Sequence, residues 1–260
     1  MGYRTIEVDG RPGTLTVTLS RPEARNSIGT VMVSELHAAL DQAQADPATR
    51  VVVLRGSGGY FCTGMDLAEA AAQGVPDLAA ATRSGEEFLG LLKRLTTVPR
   101  IVIAAIDGQA VGGGVGLVAA SDFAFATPAA TFSLPEALWG LLPCCVAPFL
   151  IRRVGFQTAY AMSLGTQPVT ADEALARCLV DGVAGQLGPV VGRLAFRARK
   201  LPEQSVGDLK RYFRRMWFLT EEMERAAVGE FARLMSSDAL GERLTAFARD
   251  QRFPWEVEAR

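Results

Sequence analysis

The sequence predicts an α/β fold with a mostly parallel sheet, followed by a helical C-terminal region. Three observations lead there. The runs "VVVL" (51–54) and "IVIAAI" (101–106) are continuously apolar, as expected of strands covered on both faces. They alternate with stretches such as "GEEFLGLLKRL" whose apolar residues recur at helical spacing, and strands alternating with helices mark the α/β class. From about Gln167 onward the patterns are helical only.

In chain order, "TIEV", "DGRPG" and "TLTVTL" predict a hairpin with Leu15, Val17 and Leu19 on one face. Met32, Leu36 and Leu40 share the apolar side of a helix expected from Thr30 to about Ala45. It stops before Asp46-Pro47, because proline disfavours helical backbone in the residue ahead of it. The strand at 51–54 leads into the glycine-rich loop "GSGGYFCTGMD", and the strand at 101–106 into "VGGGVGLVAASD", which reads as a buried helix. Short strands follow at "DFAFA" and "ATFSL". Near the C-terminus, Leu209, Tyr212, Phe213 and Met216 form one apolar face, and Met223, Ala227, Phe231 and Leu234 another. Both are expected to pack on the α/β core or on a neighbouring subunit.

Composition removes several kinds of chemistry. The chain has one histidine, His37, on the predicted surface of an early helix. A Ser-His-Asp, Cys-His or histidine-rich metal site would have to use it. Cys62, Cys144, Cys145 and Cys178 lack metal-type spacing, so they read as reduced thiols and no metal is expected. A net charge of −1 offers nothing to nucleic acid or an anionic membrane. No apolar run approaches the roughly 20 residues of a membrane span, and the first 20 residues alternate in polarity instead of forming a signal core. A cytoplasmic protein is therefore expected, with carboxylates and backbone groups as its chemical agents.

The glycines then need a use, since each costs roughly 0.5–1 kcal/mol relative to alanine in a helix. No Gly-Lys-Ser/Thr of a phosphate loop occurs, and Leu117 stands where a dinucleotide fingerprint needs its third glycine. Two readings remain. Gly112–Gly114 and Thr63-Gly64-Met65 are ordinary tight turns, or they bare backbone N–H groups that converge on a developing negative charge.

"FCTGMDL", "GQAVGGGVGLVAASDFAFA" and "ATFSLPEALWGLLP", in that order, resemble the enoyl-CoA hydratase/isomerase (crotonase) superfamily. "LSRPEARNSI" resembles the arginine-proline-x-alanine-x-asparagine segment of the same family. The resemblance spans about Thr5 to Asp181. It implies a crotonase-type spiral of ββα units over residues 1–195 and a helical region over 196–260 that serves trimer assembly or covers the active site. It also implies that the Met65 and Gly113 amides form an oxyanion hole for a thioester enolate, with Gly64, Gly112 and Ala24 beside the substrate. One lost oxyanion donor costs on the order of 10²–10³ in rate in a hydrolase precedent, which outweighs the glycine cost.

Hydratases of this family carry two glutamates. Here the first position is Gly116, and the second is Glu136 in "SLPEALWG". A lone carboxylate can remove an α-proton and return it on the same face, either to a γ-carbon or to a departing β-hydroxyl. Leu134, Leu138, Trp139 and Leu142 are expected to keep its proton on by excluding water. Without the upstream motifs, Glu136 would read as a first-turn carboxylate behind Pro135.

"SDFAFATPAATFSLPEALWGLLPCCVAPFLIRRVG" and "RFPWE" resemble more closely the first enoyl-CoA-hydratase-like dehydratase of polyketide β-branching cassettes. That resemblance implies dehydration of 3-hydroxy-3-methylglutaryl on an acyl carrier protein to 3-methylglutaconyl, with a decarboxylase of the same fold acting next. It implies no cofactor beyond the phosphopantetheine arm that carries the substrate, and a homotrimer or dimer of trimers. An enoyl-CoA isomerase or hydratase acting on a CoA thioester is the alternative. An inactive subunit or RNA-binding member would show a broken oxyanion motif or a basic surface, and the sequence has neither.

Several residues stay open at this level. Arg25 stands where many relatives carry leucine, which bears on recognition of the thioester handle. Asp66 reads as loop-stabilising, and Cys62 and Cys145 as buried apolar thiols. Arg83, Lys93, Arg152 and Arg153 are candidate cations for the substrate's distal carboxylate. Lys210, Arg211, Arg214 and Arg215 form a stripe, either solvated and paired with Glu221, Glu222 and Glu224 or docking an acidic carrier protein.

Overall fold

The structure, a computed structural model, describes residues 2–202, 204–217, 219–250 and 253–256. Strands β1 (Ile6–Arg11) and β2 (Thr14–Leu19) form the expected antiparallel hairpin, with Leu15, Val17 and Leu19 buried. Helix α1 (Thr30–Ala45) buries Met32, Leu36 and Leu40 as its spacing predicts. The buried Arg100 guanidinium closes its C-terminal end by donating to the carbonyls of Ala43, Gln44 and Asp46. A cation at carbonyls a helix leaves unpaired is favourable to its dipole.

The centre of the chain repeats one unit. Strands β3 (Val51–Gly56) and β4 (Tyr60–Cys62) lead to α2 (Leu67–Gln73) and α3 (Leu78–Thr97). Strands β5 (Ile101–Ile106) and β6 (Gln109–Val111) lead to α4 (Gly113–Ala120). Strands β7 (Phe123–Ala126) and β8 (Thr131–Ser133) lead to a 3-10 helix, Glu136–Trp139, then α5 (Ala147–Val154) and α6 (Phe156–Gly165). The remainder is β9 (Val169–Thr170), α7 (Ala171–Ala176), β10 (Gly182–Val183), α8 (Leu187–Ala198), α9 (Ser205–Arg214), α10 (Glu221–Met235), α11 (Asp238–Asp250) and a last 3-10 turn, Pro254–Glu256.

The first strand of each unit joins a six-stranded sheet ordered β1-β2-β3-β5-β7-β10, parallel apart from the hairpin. The second strand joins a four-stranded sheet ordered β4-β6-β8-β9. Each ββα unit thus advances both sheets by one strand, the spiral the family resemblance implies.

Two sequence expectations need correction, and a third is narrowed. Strands β9 and β10 lie in the stretch expected to be only helical; with two residues each, they are too short to show a period. Helix α3 begins at Leu78, well before the periodic stretch, because Asp77 accepts a hydrogen bond from the Ala80 amide and caps it. Of the two partners expected for the apolar face of Leu209, Tyr212, Phe213 and Met216, the α/β core is not the one, since all four are exposed in the single chain, the first three on α9 and Met216 just beyond it. The helix turns Val206 and Gly207 inward, Gly207 against Pro99, and buries the Lys210 ammonium against Asp122 at 2.7 Å. Met223 of α10 is also exposed, while Val228, Ala232 and Met235 face the core.

Asn26 is the central tie of the segment leading into α1. The fully buried Asn26 has a left-handed φ of 54°, donates to the carbonyls of Ser57 and Tyr60, and accepts from the Arg21 amide. Asn26→Ala strands these partners and adds left-handed strain. A loss of roughly 2–4 kcal/mol in urea-unfolding stability is the expected outcome.

Candidate active site

Strands β4, β6 and β8 are adjacent and parallel, so their carboxyl ends emerge side by side. Those ends are followed by Thr63-Gly64-Met65, by Gly112-Gly113 and by Leu134-Pro135-Glu136. Residues beyond the carboxyl ends of parallel strands are where open α/β sheets bind ligands. The Gly112 amide donates to the Ser133 carbonyl at 2.9 Å and ties two of the three exits together.

At the first exit, Ile28 forms a parallel bridge to Met65. The Ile28 amide donates to the Gly64 carbonyl (2.6 Å) and the Ile28 carbonyl accepts from the Asp66 amide (3.0 Å). In such a bridge the partner residue's own N–H turns away, and the Met65 amide donates to no group among the described residues. Gly113 opens α4, so its N–H belongs to the first turn, which has no intrahelical acceptor.

Glycine is what lets the two amides approach. Gly64 has φ +79°, and a Cβ there would stand 2.8 Å from the Val111 carbonyl and 3.2 Å from the Gly113 nitrogen. Gly112 has φ +53°, and its Cβ would stand 3.1 Å from Glu136 Oε1. Ile28 and Phe88 line the same place: a Cβ on Gly113 would stand 3.1 Å from Ile28 Cδ1 and 3.2 Å from Phe88 Cζ. The exits therefore meet with backbone against backbone and one carboxyl facing them.

That carboxyl begins the 3-10 helix. Glu136 is half-buried as a residue, but its Oε2 atom is fully buried and has no hydrogen-bond partner among the described residues. Burial pushes its pKa from the usual 4.5 up to about 7. Of the four neighbours expected to exclude water, Leu134 and Trp139 are buried, but Leu138 and Leu142 point to solvent in the single chain.

Similarity to known proteins decides the family. The family model described as enoyl-CoA hydratase/isomerase matches residues 10–258. The chain belongs to that family. It is 32% identical over 254 residues to the bacillaene synthase dehydratase PksH of Bacillus subtilis, covering 98% of this chain and 97% of that one. A probable enoyl-CoA hydratase of Rhodobacter capsulatus is 37% identical over 175 residues, 67% of this chain and 66% of its own. The solved structure of PksH, a polyketide biosynthesis enoyl-CoA hydratase, superposes with a TM-score of 0.90 at 29% identity over 97% of this chain and 100% of that one. The fold is the crotonase fold, and the protein is an enzyme of the hydratase and dehydratase class.

Set within this family, Gly116 has a physical reason to lack a side chain. A Cβ would lie 2.9 Å from Val146 Cγ2 and 3.3 Å from Leu92 Cδ1, so a side chain there would have to displace both. Asp66 caps α2 through the Glu69 amide and pairs with Arg21 at 2.8 Å, which matches the loop-stabilising reading. Burial pushes the Cys62 and Cys145 thiols up to about 12, so both stay protonated at neutral pH. His37 faces the Arg94 guanidinium (3.2 Å) and the Glu87 carbonyl (3.3 Å) between α1 and α3. Ala24 ends a short 3-10 turn, and beside it the exposed Arg25 is held at its carbonyl by the Thr63 hydroxyl and lies over the Tyr60 ring.

Three of the four proposed carboxylate-binding cations are already committed. Lys93 pairs with Glu224 at 2.7 Å and joins α3 to α10. Arg152 donates to the Ala119 carbonyl and lies over Trp217. Arg153 pairs with Asp181 and donates to the Leu179 carbonyl. Arg83 is exposed on α3 without an ion pair among the described residues. In the α9 stripe, Lys210 and Arg211 are taken by Asp122 and Asp208, while Arg214 and Arg215 stay exposed. Sequence reasoning missed Ile28 and Phe88, whose only signal was membership of apolar helix or loop patterns.

The raised carboxyl has a consequence for stability. Because Glu136 holds its proton more tightly folded than unfolded, stability falls as pH rises from 4.5 through about 7 and is level above. Glu136→Gln removes this slope. Urea unfolding of both forms at several pH values is expected to show wild type losing stability relative to Glu136→Gln across that window, and a constant difference would refute the burial of this carboxyl.

Proposed function

We propose that the enzyme removes water from 3-hydroxy-3-methylglutaryl carried on an acyl carrier protein and releases 3-methylglutaconyl on the same carrier. The observation that carries this reading is the lone buried carboxyl of Glu136 facing two unused amides, with Gly116 at the second glutamate position packed against Val146 and Leu92. The likeness to PksH, named as the dehydratase of bacillaene synthase, supports a carrier-bound polyketide intermediate as substrate.

In this reading the thioester oxygen accepts hydrogen bonds from the Met65 and Gly113 amides. The Glu136 carboxylate takes a proton from C2, and the C–H electron pair moves toward the thioester to form an enolate whose oxygen the two amides hold. The enolate then re-forms the carbonyl, a C2–C3 double bond appears, and the C3–O bond breaks. The departing hydroxyl takes the proton back from Glu136 and leaves as water. One group serves as base and then acid because both proton positions lie on the same face. A pKa of about 7 suits both duties near neutral pH.

Gly64, Gly112 and Ala24 border the path of the phosphopantetheine arm, and the reaction needs no cofactor beyond that arm. The exposed stripe Phe156, Tyr160 and Leu164 on α6, beside the element bearing Glu136, supports assembly of copies, in this family a homotrimer. The product's distal carboxylate sits on C4, next to the new double bond, so the electron pair released on its loss as carbon dioxide can pass through that double bond to the thioester, which suits a decarboxylase acting next.

Intact-mass spectrometry of a carrier protein loaded with 3-hydroxy-3-methylglutaryl tests the reading. Wild type is expected to remove one water, with an acid limb near pH 7, and Glu136→Gln to lose at least about 10²-fold in rate. Water loss by both forms at equal rate would move the acid–base elsewhere. Double-bond migration in a 3-enoyl-CoA without any dehydration would make the enzyme an isomerase.

A further inference from the structure

Glu136 sits on an element of four residues, Glu136–Trp139. A 3-10 helix that short has little stability of its own, so its position must come from what grips it. The Glu136 carbonyl accepts from the Leu141 amide (2.9 Å), and α6 packs against the element from one side. The remaining grip comes from the far end of the chain.

Trp139 is buried, and its indole meets three rings edge-on: Phe247 at 5.4 Å, Phe253 at 6.1 Å and Trp255 at 5.8 Å between centroids. Phe253 and Trp255 stack on each other at 4.7 Å. The Trp139 carbonyl accepts a hydrogen bond from Arg243 Nη1 at 2.8 Å. A Cβ on the next residue, Gly140, would collide with that guanidinium, so the sequence leaves the space the arginine occupies. Arg243 makes no ion pair among the described residues. The carbonyl end of a helical turn is where a cation is favoured. Helix α11 and the turn behind it thus hold both ring and carbonyl of the residue three places after Glu136.

We propose that Arg243, together with Phe247, Phe253 and Trp255, is a positioning device for Glu136 that keeps its carboxyl against Gly112 and away from water. Arg243 acts through Trp139 and touches no reacting atom. The inference rests on the reading of Glu136 as the acid–base. Helices α4 and α6 carry no charged residue in their sequences. The nearby Cys144 thiol, acted on by Glu136, Glu230 and Arg233, is pushed up to about 11 by burial and is neutral at working pH. Arg243 is the charged side chain that hydrogen-bonds the element itself.

Arg243→Met keeps the aliphatic stem but donates no hydrogen bond, and Arg243→Lys keeps a donor. The first readout needs no substrate. In protein labelled with ¹³C at glutamate carboxyls, the Glu136 resonance is identified by its loss in Glu136→Gln and titrated. Wild type is expected to titrate near pH 7, Arg243→Met clearly closer to the usual glutamate value, and Arg243→Lys between them. The second readout is dehydration of the carrier-bound substrate. Arg243→Met is expected to lower kcat on the order of 10- to 100-fold, since a displacement of about an ångström suffices for such losses. Its acid limb should move to lower pH while KM stays within about twofold. If Arg243→Met does not fold, Phe247→Leu replaces it with the same expectations. Folded variants with an unchanged titration and pH–rate profile would overturn the proposal and leave Arg243 a structural staple. If wild type dehydrates nothing, the reaction assignment fails, and the titration still decides the positioning role.

Discussion

The contact on which the rest of the structure depends is backbone against backbone, where Gly64 meets Val111, Gly112 and Gly113. Any side chain at Gly64 would push the exits of β4 and β6 apart, and with them the two amides that face one place. The architecture serves that contact. Two short parallel strands must lie side by side in the small sheet, and each must be carried there by a longer strand fixed in the large one. Hydrogen bonds with Ile28 on one side and to the Ser133 carbonyl on the other then pin the two exits, so the amides need no reorganisation when charge develops between them.

Electrostatics at the same spot follow from what has been left out. A buried carboxyl with one oxygen unpartnered is costly when charged, and Glu136 answers by holding its proton to about pH 7. A second carboxylate on α4 would raise that cost through like-charge repulsion. Val146 and Leu92 fill the space instead. A site with one shared proton suits chemistry that takes and returns a proton on one face, and it suits less well the activation of a free water.

The cations show a complementary economy. Arg100, Arg152, Arg153 and Lys210 spend their charge on helix carbonyls and on Asp122 and Asp181. They are buried or half-buried and already paired, although the buried Nε of Arg152 has no partner among the described residues, and this holds the helices in place but withdraws them from substrate recognition. The exposed apolar faces tell the opposite story. Phe156, Tyr160 and Leu164 on α6, and Leu209, Tyr212 and Phe213 on α9 with Met216 just beyond it, are large apolar side chains left exposed in the single chain.

Much of the fold was legible because its signals are local. The buried strands at 51–54 and 101–106 announce themselves by unbroken apolar runs, helix α1 by spacing and a following proline, and the hairpin by alternation across a Pro-Gly turn. Glu136 and the glycine turns could be picked out as an ordered set, though their convergence depends on residues far apart in sequence. The direction in which α9 faces could not be read, because an ion pair to Asp122 outweighs an apolar stripe when that stripe has somewhere else to go. Nor could the commitment of Lys93, Arg152 and Arg153, or the hold of Arg243 on Trp139 from about a hundred residues away. The sequence by itself determined which backbone could be bare and which carboxyl was available, since both depend on residue type alone. Tertiary structure decided what surrounds them, because burial and partnership are properties of neighbours brought together only by the spiral.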